Sequence, residues 1–329
     1  MAALPAAAEN ARTEALQTLG VVLLPEDLSL RDWPQRAKRA GLSTIALHHQ
    51  NSPKAVVDWI GKDEGQRFVE ACKTLELQLE YELHAMKELL PRDLFAKNPL
   101  FFRQNDQGER TPDCNCCVHS EAGLKIIAEN SLRLAAALRP TTHRHFFWGD
   151  DGQPWCYCPK CKELSASEQA LVVENQVWRA LSQRDPKAQL AHLAYANTLI
   201  PPTQVRPEAG VFLEYAPINR RYDIPYSQQA GAKAKEGLYL LDGNLKVFAK
   251  ETAQVLEYWL DVSRFSHWQR PAEKLPWNKD VFLDDFRTYR NRGIRHITSF
   301  AAWVDADYQR RFSNLSFIDE YGAELKTAR

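Results

Sequence analysis

The sequence predicts an α/β protein, a single (β/α)8 barrel of the TIM type with long loops after its strands. Eight short apolar runs alternate with amphipathic stretches along the 329 residues, and this alternation is typical of parallel strands joined by crossover helices. Each unit averages about 41 residues, which is enough for such a barrel. An open doubly wound sheet is the alternative, but it would normally carry a glycine-rich phosphate loop after its first strand. This chain has Pro25-Glu26-Asp27 there.

The first half of the chain contains the clearest element signals. Strands are predicted at 19–24, 42–48, 77–83 and 145–148, and helices at 33–40, 64–75 and 120–138. The third of these helices is predicted because apolar residues recur at helical spacing after Ser120, a suitable N-cap. Residues 85–115 contain three prolines and are predicted to form a long loop.

The second half continues the same pattern. Strands are predicted at 188–196, 211–215, 255–260 and 296–301, and helices at 167–181, 244–250 and 278–289. The domain prediction is therefore an N-terminal extension over 1–14, followed by one barrel over 15–329.

Charge and hydropathy exclude two classes of partner. The 42 basic and 42 acidic residues give zero net charge, so no broad basic field is available for a phosphate backbone, and nucleic acid is not expected. The mean hydropathy is −0.46 and no apolar run approaches 18 residues, so no membrane partner is expected. The first 12 residues lack the pattern of a secretory signal, which predicts a cytoplasmic protein, or a secreted or periplasmic one if the chain is trimmed. The oligomeric state stays open.

Carboxylates and aromatic residues follow most of the predicted strands. In a barrel the active site lies at the carboxyl ends of the strands. Carboxylates act on acetals, and aromatic faces stack on sugar rings. The predicted catalytic residues are Asp150, Asp151, Glu214 and Glu257. The predicted saccharide-binding residues are His84, Trp148, Tyr195, Asn197, Tyr215, Tyr258, Trp259, Trp303 and Asp305. The alternative is that the carboxylates are solvated loop charges and the aromatic residues serve only in packing.

Asp150 and Asp151 are the sharpest local signal. Neighbouring strand residues face opposite sides of a sheet, but at a strand end the chain can turn and bring both carboxylates to the same edge. Two close carboxylates raise the pKa of one of them, which suits a general acid beside an ionised partner. A helix N-cap or a calcium-binding loop is the alternative.

Six of the seven cysteines lie in two clusters. Cys156, Cys158 and Cys161 lie within six residues, and Cys117 ends the earlier cluster. These four residues are predicted to bind a structural zinc, because thiolates favour this soft cation. Free thiols and disulfides are the alternatives. No cofactor is expected for catalysis.

Several motifs resemble those of a known family. They are Tyr81-Glu82-Leu83-His84, Trp148-Gly149-Asp150-Asp151 with the cysteines that follow, and Ser299-Phe300-Ala301-Ala302-Trp303-Val304-Asp305. The resemblance covers residues 15–325. It is to glycoside hydrolase family 163, a former domain of unknown function whose members are endo-β-N-acetylglucosaminidases acting on N-glycans.

The end of the fourth predicted strand more distantly resembles the Gly-Asp-Glu motif of family 20 hexosaminidases. There the Asp orients the substrate's acetamido group as an internal nucleophile, and the Glu is the general acid. The resemblance implies that Asp150 orients and Asp151 protonates, although Asp151 is one methylene shorter than the family's Glu. The predicted function is hydrolysis of an N-acetylglucosamine-containing glycan. A non-catalytic carbohydrate-binding barrel and a zinc-stabilised interaction scaffold are the alternatives.

Overall fold

A closed barrel of eight parallel strands confirms the predicted fold class. The computed structural model describes residues 16–49, 52–229 and 236–326, so the predicted extension over 1–14 lies outside the described residues. Each strand pairs with its neighbours in chain order, and the eighth pairs with the first. In the part of the chain that the structure describes, no helix has the length and apolarity needed to cross a membrane.

The strands lie within a few residues of their predicted positions. They are β1 (Thr18–Leu23), β2 (Thr44–Leu47), β3 (Gln78–His84), β4 (Arg144–Trp148), β5 (Gln189–Ala194), β6 (Val211–Tyr215), β7 (Gln254–Glu257) and β8 (His296–Phe300).

The helices lie around this barrel. They are α1 (Trp33–Ala40), α2 (Pro53–Ile60), α3 (Asp63–Thr74), α4 (Met86–Leu89), α5 (Glu121–Leu138), α6 (Ala166–Arg184), α7 (Leu238–Asn244), α8 (Val262–Phe265), α9 (Lys279–Arg290), α10 (Ala306–Phe312) and α11 (Ser316–Lys326). Short 3₁₀ turns occur at Pro25–Ser29, Arg92–Ala96, Pro99–Phe101, Ala196–Thr198 and Tyr226–Gln228.

The prediction of a helix over 244–250 is wrong. α7 ends at Asn244, where that helix was expected to begin. The Asn244 side-chain amide donates to the carbonyls of Leu240 and Leu199, so it anchors the last turn to the loop after β5. The predicted N-cap of α5 is confirmed, because Ser120 Oγ accepts a hydrogen bond from the Gly123 backbone N–H.

Side chains on each strand alternate between the barrel interior and the surrounding helices. On β7, the Gln254 amide donates inside the barrel to Glu82 of β3 and to Glu214 of β6. Glu257, three residues later, faces outward and accepts a hydrogen bond from Tyr289 of α9. This alternation decides which residues at the strand ends face the central cavity.

A layer of buried polar side chains fills the barrel below that cavity. Glu80, Glu82 and Glu214 are each fully buried, and Arg144 contributes the cation that acts on all three. Burial raises the pKa of all three carboxyls, and it raises that of Glu214 to about 8. Burial disfavours the ionised form of a carboxyl group.

Candidate active site

A cavity of about 160 Å³ opens at the carboxyl ends of the strands. It is lined by Leu24, His48, His84, Trp148, Asp151, Leu193, Tyr195, Ile218, Leu256, Tyr258, Asp261, Ser263, Trp268, Phe300 and Ala302. Asp151, beyond β4, and Asp261, beyond β7, are the two carboxylates of this lining. The inward-facing ends of β3, β4, β5, β7 and β8, together with residues that follow the strands, thus form an aromatic cavity with two acidic groups.

Asp151 extends into solvent at the edge of the cavity, with 61% of its side chain exposed. Its Oδ1 lies 3.7 Å from Nε2 of His84. His84 donates from Nδ1 to the Gly149 carbonyl at 2.7 Å, and burial lowers the pKa of the imidazole. The neutral His84 ring therefore presents the Nε2 lone pair, a proton acceptor, to the Asp151 carboxyl group.

Asp150 does not line this cavity, although it lies beside Asp151 in the lining of an adjoining cleft at the end of β4. Asp150 Oδ2 accepts hydrogen bonds from Arg92 Nη2 at 2.7 Å and from the Asn115 backbone N–H at 2.6 Å. Only 7% of the side chain is exposed. Asp150 connects the end of β4 to the long loop after β3.

Glu214 points into the barrel but lies below the cavity. Its Oε2 accepts a hydrogen bond from Trp148 Nε1 at 2.8 Å. The Trp148 ring lines the cavity as predicted, while the Glu214 carboxylate belongs to the buried polar layer beneath it. A direct catalytic role for Glu214 is therefore not supported.

Three other predicted residues face the helices: Tyr215 and Glu257 occupy outward positions on β6 and β7, and Trp259 lies two residues beyond β7. Glu257 Oε1 pairs with the buried Arg220. Tyr215 hydrogen-bonds to the hydroxyl of Tyr226, and Trp259 donates from Nε1 to Asp285 at 3.0 Å. Their predicted roles in catalysis and saccharide binding gain no support from this geometry, since the contacts of these side chains hold β6 and β7 against the segments around α9.

Asn197, Trp303 and Asp305 lie near the strand ends without lining the cavity. Asn197 Nδ2 donates to the Gln153 carbonyl at 2.9 Å, which holds the loop after β4. Asp305 accepts from the backbone N–H of Tyr308 as the N-cap of α10, and Trp303 packs under a guanidinium group. Of the predicted saccharide-binding residues, the cavity brings together His84, Trp148, Tyr195 and Tyr258.

The sequence analysis missed Asp261 and Trp268. Asp261 caps α8: its Oδ1 accepts from the Ser263 hydroxyl at 2.6 Å and from the Arg264 backbone N–H at 3.1 Å. Burial raises its pKa to about 6. The signal was available, because Asp261 directly follows the predicted seventh strand.

Trp268 stands at the cavity mouth with 56% of its surface exposed. Trp268 and the preceding His267 have φ angles of 54° and 55°. Such left-handed backbone in bulky residues is strained and occurs often at ligand-binding sites. No sequence periodicity marks this residue.

The family described as Domain of unknown function (DUF4838) matches residues 24–267. The chain belongs to the DUF4838 family. A comparison of this DUF4838 chain with curated proteins finds no match, and its membership of glycoside hydrolase family 163 stays a prediction.

Solved structures of glycoside hydrolases share the barrel of this DUF4838 chain. A cold-adapted β-galactosidase from a Rahnella species has a TM-score of 0.57 at 13% identity, covering 96% of this chain and 58% of that one. A catalytic mutant of Gan42B, a GH42 β-galactosidase from G. stearothermophilus, has a TM-score of 0.59 at 12% identity, covering 95% and 58%.

Pneumococcal StrH, a virulence factor described in terms of N-glycan recognition and hydrolysis, has a TM-score of 0.50 at 12% identity, covering 96% of this chain and 85% of that one. These similarities show a shared TIM-barrel fold. The DUF4838 chain spans 58% of the length of the two β-galactosidases.

Four cysteines of the DUF4838 chain form a separate buried cluster. The Sγ atoms of Cys117, Cys156, Cys158 and Cys161 all lie within 4.8 Å of one another. Cys117 Sγ is 3.8 Å from those of both Cys158 and Cys161. A tetrahedral zinc with Zn–S bonds of about 2.3 Å places its sulfurs about 3.8 Å apart.

The surroundings of the cluster suit thiolates. The backbone N–H groups of Gln104 and Cys158 lie 3.3 and 3.5 Å from Cys156 Sγ, and the Arg110 guanidinium is 3.7 Å away. All seven cysteines are free, so the disulfide alternative is wrong. The predicted grouping of the four residues is confirmed, and they could hold a metal ion.

Proposed function

We propose that this chain is a glycoside hydrolase that cleaves β-linked N-acetylglucosamine from a glycan, with Asp151 as general acid and Asp261 as the second carboxylate. One observation carries the proposal: these two groups, from β4 and β7, line the same aromatic cavity. Glycosidases commonly use two carboxylates that flank the bond to be cleaved.

The surroundings of the two carboxylates suit different roles. The exposed Asp151 protonates the glycosidic oxygen, and His84 positions the Asp151 carboxyl group. Asp261 is buried and oriented by two hydrogen-bond donors. Its carboxylate stabilises the positive charge that develops at the anomeric carbon, either as nucleophile or as base for water.

The aromatic walls suit a sugar ring. Tyr258 stacks on Phe300 with 5.4 Å between ring centroids, Trp148 lies in the cavity wall, and Trp268 is exposed at its mouth. Such aromatic faces pack against the apolar faces of sugars.

The choice of N-acetylglucosamine rests on the motif resemblance and on the similarity to StrH, while the galactosidase neighbours favour galactose. Because Asp150 is held by Arg92, it is poorly placed to orient an acetamido group. Asp261 therefore replaces Asp150 in the proposed mechanism, whether or not the acetamido group takes part.

Hydrolysis assays test the proposal. Nitrophenyl N-acetyl-β-glucosaminide, nitrophenyl β-galactoside and an N-glycan should be offered to the unmutated protein, and the first and third should be cleaved. Cleavage of the galactoside alone would overturn the sugar assignment. Binding without cleavage of any substrate would favour the carbohydrate-binding barrel.

The pH dependence should identify Asp261. Its pKa is raised to about 6 by burial, and a nucleophile or base must be ionised. We therefore expect kcat/KM to rise with pH through about 6 and to fall about tenfold per unit below it. The measurement is kcat/KM on a nitrophenyl substrate from pH 4 to 8, and a flat profile down to pH 4.5 would contradict the assignment.

The cysteine cluster completes the proposal. A structural zinc on Cys117, Cys156, Cys158 and Cys161 would fix the loops that follow β3 and β4, because each loop contributes ligands. The zinc would have no part in catalysis. The domain boundary at residue 15 and the cytoplasmic location stay predictions.

A further inference from the structure

Asn115, in the loop after β3, is a fully buried polar residue beside the end of β4. Its φ of 43° lies in the left-handed region, which asparagine adopts more readily than most residues. A Cβ atom placed on Gly149 would lie 3.0 Å from Asn115 Oδ1. The Asn115 amide therefore packs directly on the backbone where β4 ends.

The proposed general acid, Asp151, lies in a tight turn that follows β4. The Gln153 backbone N–H donates to the Asp150 carbonyl at 3.1 Å, so Asp151 and Gly152 are the two central residues of a four-residue turn. The Asp151 side chain is 61% exposed, and its Oδ1 is 3.7 Å from His84. Side-chain packing thus does little to fix the carboxyl group, and the backbone of the turn sets its position.

The Asn115 side chain binds both ends of this turn. Its Oδ1 accepts a hydrogen bond from the Asp150 backbone N–H at 2.9 Å. Its Nδ2 donates to the carbonyls of Gln153 and Pro154 at 3.1 and 3.0 Å. Asn115 is itself anchored, because Arg92 Nη1 donates to its carbonyl at 2.8 Å. One buried amide therefore satisfies backbone groups on each side of Asp151.

We infer that Asn115 is the positioning residue of the general acid, because its amide fixes both ends of the turn that carries Asp151. Asn115 acts through Asp151 rather than on the substrate. A general acid must lie within hydrogen-bond reach of the oxygen that it protonates, and a misplacement of about 1 Å can cost about 10²-fold in rate. The inference rests on the proposed function and deepens it, since it names a residue on which the acid depends.

Asn115→Gly tests this role. Glycine adopts left-handed backbone without strain, so the variant removes the amide and keeps the backbone conformation. We expect kcat/KM on the β-linked N-acetylglucosamine disaccharide to fall at least about tenfold, mainly through kcat, because its leaving oxygen needs the proton. The loss on the nitrophenyl glycoside should be much smaller. Hydrogen–deuterium exchange of the backbone amides over 149–154 should become faster, which measures the turn independently of activity.

Asn175→Ala is the matched control, because it removes another buried amide that anchors a loop. Asn175 of α6 donates to the Arg206 carbonyl at 2.9 Å and accepts from the Glu208 backbone N–H at 2.8 Å. Its loss should lower Tm without changing the ratio of the two activities.

Asn197→Ala is a second test that puts little strain on folding, since Asn197 is exposed. Its Nδ2 donates to the same Gln153 carbonyl at 2.9 Å. We expect a smaller loss than in Asn115→Gly, again confined to the disaccharide.

The outcomes separate the positioning role from the proposed function. Equal losses on both substrates in Asn115→Gly, or no loss on the disaccharide, would overturn the positioning role while the glycosidase proposal stands. If Asn115→Gly does not fold, an unchanged ratio of activities in Asn197→Ala would overturn it instead. If the unmutated protein cleaves neither substrate, the proposed function fails, and faster exchange over 149–154 would leave Asn115 only as an anchor of the turn.

Discussion

Asp151→Asn should lower kcat/KM on a natural glycan by about 10²–10⁴-fold, the usual contribution of general acid catalysis. The asparagine keeps the size of the side chain and removes the proton that the leaving oxygen needs. Nitrophenolate departs without a proton, so the loss on a nitrophenyl glycoside should be much smaller. Steady-state kinetics on the two substrates measures this difference directly.

Two variants control this experiment. Asp106→Asn makes the same charge change at an exposed position of the loop after β3 and should leave both activities intact. Asp261→Asn should impair both substrates, because the second carboxylate acts whatever the leaving group. Full activity of Asp151→Asn on the glycan would show that the acid lies elsewhere.

Cys158→Ser should have the largest effect on stability. If the cluster holds zinc, the variant loses one of four thiolates, and the protein should bind much less than one zinc per chain. A ligand present at a thousandfold excess over its Kd stabilises the folded state by about 4 kcal/mol. For a chain of this size, its loss corresponds to a fall in Tm of roughly 6 °C.

Cys114→Ser is the matched control for the cluster. Cys114 is a buried thiol of the loop after β3, which also contains Cys117, and its Sγ lies 3.5 Å from the Pro154 carbonyl, outside the four-cysteine cluster. Its replacement should keep the metal and most of the stability. Metal analysis of protein purified without chelators, together with calorimetry, measures both effects. A metal content near zero, with all seven thiols titrating freely, would contradict the zinc proposal.

The barrel was predictable from the sequence, whereas the inward or outward direction of its strand-end residues was not. Strands buried on both faces are mostly apolar, so many of them lack the alternation of polar and apolar residues that would reveal which side chains face inward. On β7, Val255 and Leu256 are both apolar, and nothing local shows that Leu256 faces the cavity and Glu257 the helices. For this reason the sequence analysis placed Glu257 and Trp259 at the site, whereas their side chains contact Arg220 and Asp285 away from the cavity.

The positions of the site residues depend on contacts between residues that are distant in the sequence. Asp150 turns from the cavity because Arg92 and Asn115, from the loop after β3, bind its carboxylate. The spacing of Cys156, Cys158 and Cys161 did predict that these three thiols could share one ion, whereas Cys117 was singled out from the earlier cluster by the motif resemblance. Trp268 owes its position to a strained turn that no residue pattern indicates.

The polar layer inside the barrel makes folding a proton-uptake reaction near neutral pH. The Glu214 pKa is about 8 in the folded chain, against an ordinary value of 4.5, so between these values the folded state keeps a proton that the unfolded chain has released. The contribution of this retained proton to the free energy of unfolding is fully present below pH 4.5 and is lost as pH rises through 8. This loss of stability at alkaline pH arises in the interior of the barrel, independently of Asp151 and Asp261.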